Sequence, residues 1–182
     1  MFEIRKIVTP KLLDKRWPYA EAKKIAEGVV SQLKPFCSRC EIAGSVRRMA
    51  PTIGDIEIVA QLLPFTDSLI YERGIAKVVN RWPKIRGGMN FGKTKYTQRI
   101  LPEGIKLDLF FCTPENWGNI YAIRVGSANF SHKVLARGWS RQGFKSIDGF
   151  LWKNGKKYEC REERDVFKLA GVPWVPPNKR NL

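Results

Sequence analysis

The stretch from Gly44 to Leu62 constrains the fold more than any other part of the chain. Residues Asp55–Leu62 alternate, with Ile56, Ile58 and Ala60 on one side, which predicts a β-strand that buries that face. The same alternation brings Asp55 and Glu57 together on the opposite face. Two carboxylates side by side repel and call for cations. Lys or Arg can neutralise them, but a pair of divalent ions does so while keeping coordination positions open. Asp108 lies in Ile105–Phe111, a second expected strand with Leu107 and Leu109 as apolar neighbours. A third carboxylate on an adjacent strand completes a two-metal site. Each acid alone is more simply a charge on a solvated sheet face; it is their joint occurrence with the turn at Gly44-Ser45 that favours a site.

That turn carries the other half of the chemistry. Gly44-Ser45 follows a short expected strand, Cys40–Ala43, and opens a helical turn. Backbone N–H groups exposed there, with the Ser45 hydroxyl, can cradle phosphate oxygens. Arg47 and Arg48 follow directly, and a guanidinium matches phosphate geometry.

The charge balance points to a polyanion. Of 182 residues, 33 are Lys or Arg and 17 are Asp or Glu, giving +16 and a pI near 10.0. Residues 121–182 carry 13 basic and 5 acidic side chains, so the last third holds the denser positive field over folded-looking sequence. No run of like charges reads as a disordered arm. The N-terminal residues lack a signal peptide and no apolar run is long enough to span a bilayer, which predicts a soluble, intracellular chain with no membrane partner. Cys37 and Cys40 have a metal or redox spacing, but no second Cys/His pair completes a zinc site, and ordinary reduced thiols are expected. A single histidine, His132, excludes most His-based metal sites and catalytic triads.

Elsewhere, Pro18 opens an expected helix over residues 18–34 with Ala22, Ile25, Val29 and Leu33 on one face, and Pro35 ends it. Thr66 can cap a second helix reaching about Arg81. Residues 86–90 read as a turn, and Lys93–Arg99 as a strand. Pro114 to Gly118 marks a boundary. Beyond it are expected a helix at about 129–141, a strand at 149–153, an Asn154-Gly155 hairpin and a helix at about 162–170, stopped by Gly171 and Pro173. The fold class is α+β: a mixed sheet backed by helices over residues 1–120, then a small α+β domain over 121–182.

On these residues the sequence resembles family X DNA polymerases, of the DNA polymerase β-like nucleotidyltransferase superfamily. Gly44-Ser-Val-Arg-Arg48 followed by Gly54-Asp-Ile-Glu57 is similar to the nucleotidyltransferase signature. Gly126-Ser127 resembles the turn between palm and thumb that faces the incoming sugar and base. The ending Gly171-Val-Pro-Trp-Val-Pro-Pro-Asn-Lys-Arg180 resembles the thumb's closing motif, and Arg16-Trp17-Pro18 an element whose arginine touches the triphosphate. The resemblance covers about residue 16 onward and implies a minimal palm-plus-thumb form.

The resemblance implies a DNA-directed DNA polymerase that adds dNTPs to a primer 3′ end, with gap filling in repair as its natural role. Asp55, Glu57 and Asp108 would be the catalytic residues, binding two Mg²⁺ ions, with Mn²⁺ able to substitute. Gly44, Ser45, Arg48, Gly54 and Arg16 would hold the triphosphate, with Gly126 and Ser127 near the sugar and base. Lys106 would lie near the primer terminus, and Lys93 and Lys95 along the DNA backbone. A monomer binding primer-template or gapped duplex is implied. Three features depart from the family: Glu57 stands for the usual Asp, Ile123-Arg124-Val125 for an aromatic pair, and Ser131 for an asparagine at the base edge. The chain starts near the palm, which leaves no room for the N-terminal helix-hairpin-helix region, so no lyase activity is expected and the +16 charge reads as compensation for lost DNA-binding modules. The alternatives are a template-independent or RNA-directed nucleotidyltransferase of the same superfamily, and a non-catalytic nucleic-acid-binding protein on the same fold.

Overall fold

The computed structural model describes residues 15–64, 68–88 and 95–182. Two short strands, β1 (Trp17–Pro18) and β3 (Thr52–Ile53), pair antiparallel and bring Arg16 and Trp17 back to the start of the sheet. Pro18 precedes α1 (Tyr19–Leu33), whose buried stripe is Ala22, Ala26, Val29 and Leu33. A 3₁₀ turn over Lys34–Phe36 follows, with Pro35 inside it.

The central sheet is five-stranded, in the order β2 (Cys37–Ile42), β4 (Asp55–Leu62), β7 (Lys106–Cys112), β6 (Tyr96–Ile100), β5 (Lys84–Gly87). Among the described strands only β4 and β7 run parallel, and α3 (Ser68–Val79) lies in the crossover between them. Ile56, Ile58 and Ala60 of β4 and Leu107 and Leu109 of β7 are buried on the back face against α1 and α3, with Leu33, Ile75 and Val79 among their partners. The front face continues into a second cluster, where Val59 and Phe110 meet Trp117, Tyr121 and Val125 of α4 (Trp117–Val125).

The expected turn at residues 86–90 is corrected: Arg86 and Gly87 belong to β5 and pair with Gln98 and Thr97 of β6. Gly87 has φ +73, and the Tyr96 carbonyl oxygen occupies the space a Cβ there would need, so the glycine serves close strand approach rather than chain reversal. Thr66, Met89 and Asn90 lie outside the described residues.

After α4 come α5 (Ala128–Phe130), a π-helical stretch Ser131–Ala136 and α6 (Arg137–Arg141), end to end, so the expected helix at 129–141 is one rod with a widened middle. A three-stranded antiparallel sheet, β8 (Lys145–Ile147), β9 (Phe150–Lys153) and β10 (Lys156–Tyr158), then leads to α7 (Glu163–Leu169). Asp148 and Gly149 (φ +53 and +81) and Asn154 and Gly155 (φ +51 and +73) form the two hairpin turns. Glu162 and Asp165 close a capping box at the start of α7. Phe130, Leu135, Trp139, Leu151, Val166 and Phe167 form the core of this part, and Ala122 of α4 joins it. The helix α4 thus serves both cores.

The C-terminal part is tied to the central sheet by directed contacts. The Arg39 guanidinium of β2 donates to both Glu162 carboxylate oxygens at 2.7 and 3.1 Å and stacks on Trp117, 4.3 Å from the ring centroid. Tyr121 donates its hydroxyl to the Ile42 carbonyl at 3.1 Å.

Candidate active site

Strand register puts the three predicted carboxylates on one front face. In the parallel β4–β7 pair Glu57 stands opposite Asp108 and Asp55 opposite Lys106, while Gln98 of β6 stands opposite Asp108. The Asp108 Oδ1 atom accepts from the Tyr96 hydroxyl at 2.8 Å and from Gln98 Nε2 at 2.6 Å. Tyr96 and Gln98 were not foreseen from the sequence. An alternating strand reading with β6 antiparallel to β7 is the signal that aligns them with Asp108.

The three acids share one field. Burial first, then the Asp108 charge, raises Asp55 above the usual carboxylate range, while Lys106, Arg16 and Arg48 oppose that rise. Glu57 is pushed up to about 7, by burial first and then by Asp55; Arg124 and Arg48 pull it back. Like charges held together out of water are costly without a cation between them.

Gly44 is the hinge of the site. It has φ +59, and the Glu57 carboxylate lies where a Gly44 Cβ would stand. No other residue type combines that backbone angle with that approach. The turn Gly44–Arg47, α2, is a single helical turn that packs Val46 inward. Ser45 Oγ within it is buried with no hydrogen-bond partner among the described residues. An orphaned hydroxyl beside an acidic cluster is what a phosphate or a cation-bound oxygen would satisfy.

The remaining predicted residues divide. Arg16 packs against Gly54, its Nη1 only 2.6 Å from the position of a Gly54 Cβ, and its charge reaches Asp55. Lys106 lies beside Asp55. The charge of Arg48 reaches the same acids, but its Nε donates to Asn181 Oδ1 at 2.7 Å and its Nη1 to the Val125 carbonyl at 2.8 Å. It is therefore also a tie between the Gly-Ser turn and the C-terminal part. Gly126 meets Ser131 Oγ closely, and the Ser127 hydroxyl caps α5 by accepting from Phe130 N at 3.1 Å. The Ser127 backbone N–H donates to the Arg180 carbonyl at 3.0 Å, so this turn holds the chain's last residues. Lys95 is joined to Asp148 at 3.1 Å across the cleft. Lys93 lies outside the described residues.

Arg124, noted in the sequence only as part of a departure from an aromatic pair, lies over Phe110 with its guanidinium carbon 4.0 Å from the ring centroid. Its Nε is buried without a partner among the described residues. The sequence signal was a lone charge within an apolar helix.

As placed, no three acidic, imidazole or thiol side chains among the described residues close round a single point tightly enough to hold an ion. Glu57 is turned toward Gly44, and Asp108 toward Tyr96 and Gln98. The donor chemistry and strand register fit a divalent cation, and side-chain rotation about Glu57 and Asp108 is what closure requires. All four cysteines are free thiols; Cys40 shares a hydrogen bond with Cys37 that, with burial, raises its pKa. No helix among the described residues is long and apolar enough to cross a membrane.

Comparison with known proteins bears on the last third and on the whole fold. Residues 123–181 match the family model for the DNA polymerase beta thumb. The fold is similar to the polymerase beta of Leishmania infantum in a ternary P/T complex, with TM-score 0.74 and 16% identity over 94% of this chain and 79% of that one. No curated protein matches the chain by sequence.

Proposed function

We propose that this chain, a family X polymerase-like protein in its fold and its thumb, extends a nucleic-acid 3′ end with nucleoside triphosphates. The observation that carries the reading is the row Asp55, Glu57 and Asp108 on adjacent strands, next to a Gly44-Ser45 turn whose buried hydroxyl has no partner among the described residues. In the reaction the primer 3′-oxygen forms a bond to the α-phosphorus, the bond from that phosphorus to pyrophosphate breaks, and the hydroxyl proton passes to solvent. Asp55, Glu57 and Asp108 would hold two Mg²⁺, which supply charge neutralisation and acidify the hydroxyl.

This chain's own residues do the rest. Tyr96 and Gln98 fix the orientation of Asp108 by donating to one of its oxygens, leaving the other without a hydrogen bond among the described residues. Ser45 and the N–H groups of α2 receive phosphate oxygens, and Arg16, Lys106 and Arg48 offset the charge that moves onto the leaving pyrophosphate. Arg124 counters Glu57 on its inner side. The thumb and the +16 charge favour a nucleic-acid acceptor over a small molecule. DNA, a gapped duplex and a repair role are the specific form of the reading. Incorporation of each nucleotide on gapped, primed and single-stranded DNA tests it: templated incorporation supports a gap-filling polymerase, and untemplated addition a terminal transferase. No incorporation on any substrate overturns it.

A further inference from the structure

We propose that the outer face of the sheet β8–β9–β10 is a docking surface for single-stranded nucleic acid. The proposal leans on the polymerase reading for the strand's direction only, since its test uses neither nucleotide nor metal. Cross-strand register sets Lys145, Trp152 and Lys157 in one row, with Ile147 and Phe150 beside them on the same side. The opposite side delivers Leu151 and Tyr158 to the core. On the outer side both lysines are exposed and Ile147 is 50% exposed, while Phe150 and Trp152 are half-buried, the Trp152 indole nitrogen facing inward with no partner among the described residues. Lys157 Nζ sits 4.6 Å from the Phe150 ring centroid. Neither lysine forms an ion pair among the described residues, and Glu115 is the acidic group whose charge Lys157 influences.

Aromatic rings set between cations suit a ligand made of flat rings joined by anionic links, which is unpaired nucleic acid. A duplex hides its rings, and an acidic peptide would use the lysines while leaving Phe150, Trp152 and Ile147 bare. The face is also continuous with the candidate active site. A cleft of about 820 Å³ is lined both by Asp108, Tyr96 and Arg124 and by Asp148, Gly149 and Phe150. The Lys95–Asp148 pair crosses it, but with side chains 65% and 80% exposed it is a weak gate, and Lys95 is free to turn to a phosphate. A strand seated beside Asp108 can therefore reach Phe150, next to which Trp152 stands on the same face of β9.

Binding of labelled oligo-deoxythymidylate and of a blunt DNA hairpin to the full chain decides the matter. The double variant Lys145→Glu/Lys157→Glu should weaken oligo-deoxythymidylate binding about tenfold, change hairpin binding by less than about threefold, and reduce the single-strand salt slope by about 1.4, or ~0.7 per lysine. Trp152→Leu should weaken the single strand about fivefold or more with the salt slope unchanged. Wild-type affinity for the single strand in the lysine variant, or equal losses on both DNAs, overturns the proposal. The lysine pair is on the surface and decides alone if Trp152→Leu melts early.

Discussion

The carboxylate of Glu57 fills the space that a side chain on Gly44 would take. Two parts of the sequence signature, the Gly-Ser turn and the acidic strand, are thus one interlocked unit. Gly44→Ala should expel Glu57 and strain a backbone at φ +59, a conformation that costs an L-residue roughly 1–2 kcal/mol. Nucleotide incorporation should fall more than tenfold, with only a modest loss of melting temperature. Incorporation close to wild type would show that the Glu57 position seen here is irrelevant to chemistry.

Much of this arrangement was legible in the sequence, for identifiable reasons. Strand β4 was expected over Asp55–Leu62 and is found there, because a strand buried on one face leaves an unambiguous period of two. The helix α4 was missed because it is buried on nearly every side, with Trp117, Gly118, Asn119, Tyr121, Ala122 and Val125 all inside, and so has no amphipathic stripe. The turn Asp148-Gly149 carried a hairpin signal, but β8 before it is only three residues long, too short to show alternation. Within the site, the acids and the Gly-Ser turn were readable as local pattern. Tyr96, Gln98 and Arg124 were not, since they reach Asp108, Phe110 and Glu57 through strand pairing and helix packing.

The raised pKa of Glu57, about 7 in the metal-free chain, predicts an unusual pH dependence. The folded state favours the neutral acid, so folding takes up a proton between pH 4.5 and about 7. Stability of the metal-free protein should therefore rise as pH falls through about 7. Glu57→Gln should flatten this slope, and Mg²⁺ should reverse it by favouring the ionised form. Thermal melts across this range with chelator, then with Mg²⁺, read all three.

Arg48 has two duties in this structure, and two variants separate them. Asn181→Ala removes one hydrogen bond to Arg48 and should cost about 1 kcal/mol of stability with nucleotide KM unchanged. Arg48→Ala removes the tie to Asn181 and Val125 together with a cation near Asp55 and Glu57, so it should also raise nucleotide KM severalfold. An unchanged KM in Arg48→Ala would make the residue a structural tie alone.

Arg180 is a structural residue of the C-terminal part, within the stretch that matches the DNA polymerase beta thumb model. Its side chain is 0% exposed, bonds to Glu163 at 2.5 Å and to the Val175 carbonyl at 2.7 Å, and packs against the rings of Phe167 and Trp174. Arg180→Ala leaves Glu163 without its partner and should cost roughly 3–5 kcal/mol, measured by denaturant unfolding. A loss below about 1 kcal/mol would mean that water enters and solvates Glu163.

Asp108 stands at the centre of the proposed chemistry, opposite Glu57 on the neighbouring strand and held by Tyr96 and Gln98. The most direct measurement is extension of a DNA primer by wild type and by Asp108→Asn, with and without Mg²⁺, alongside DNA binding and melting of each. Wild type should extend the primer only when Mg²⁺ is present. Asp108→Asn should lose essentially all extension while folding normally and binding DNA as well as wild type or slightly tighter, since a negative charge is gone. Extension by a folded Asp108→Asn variant at more than a few per cent of wild type, or metal-independent extension by the wild type, would contradict the two-metal assignment.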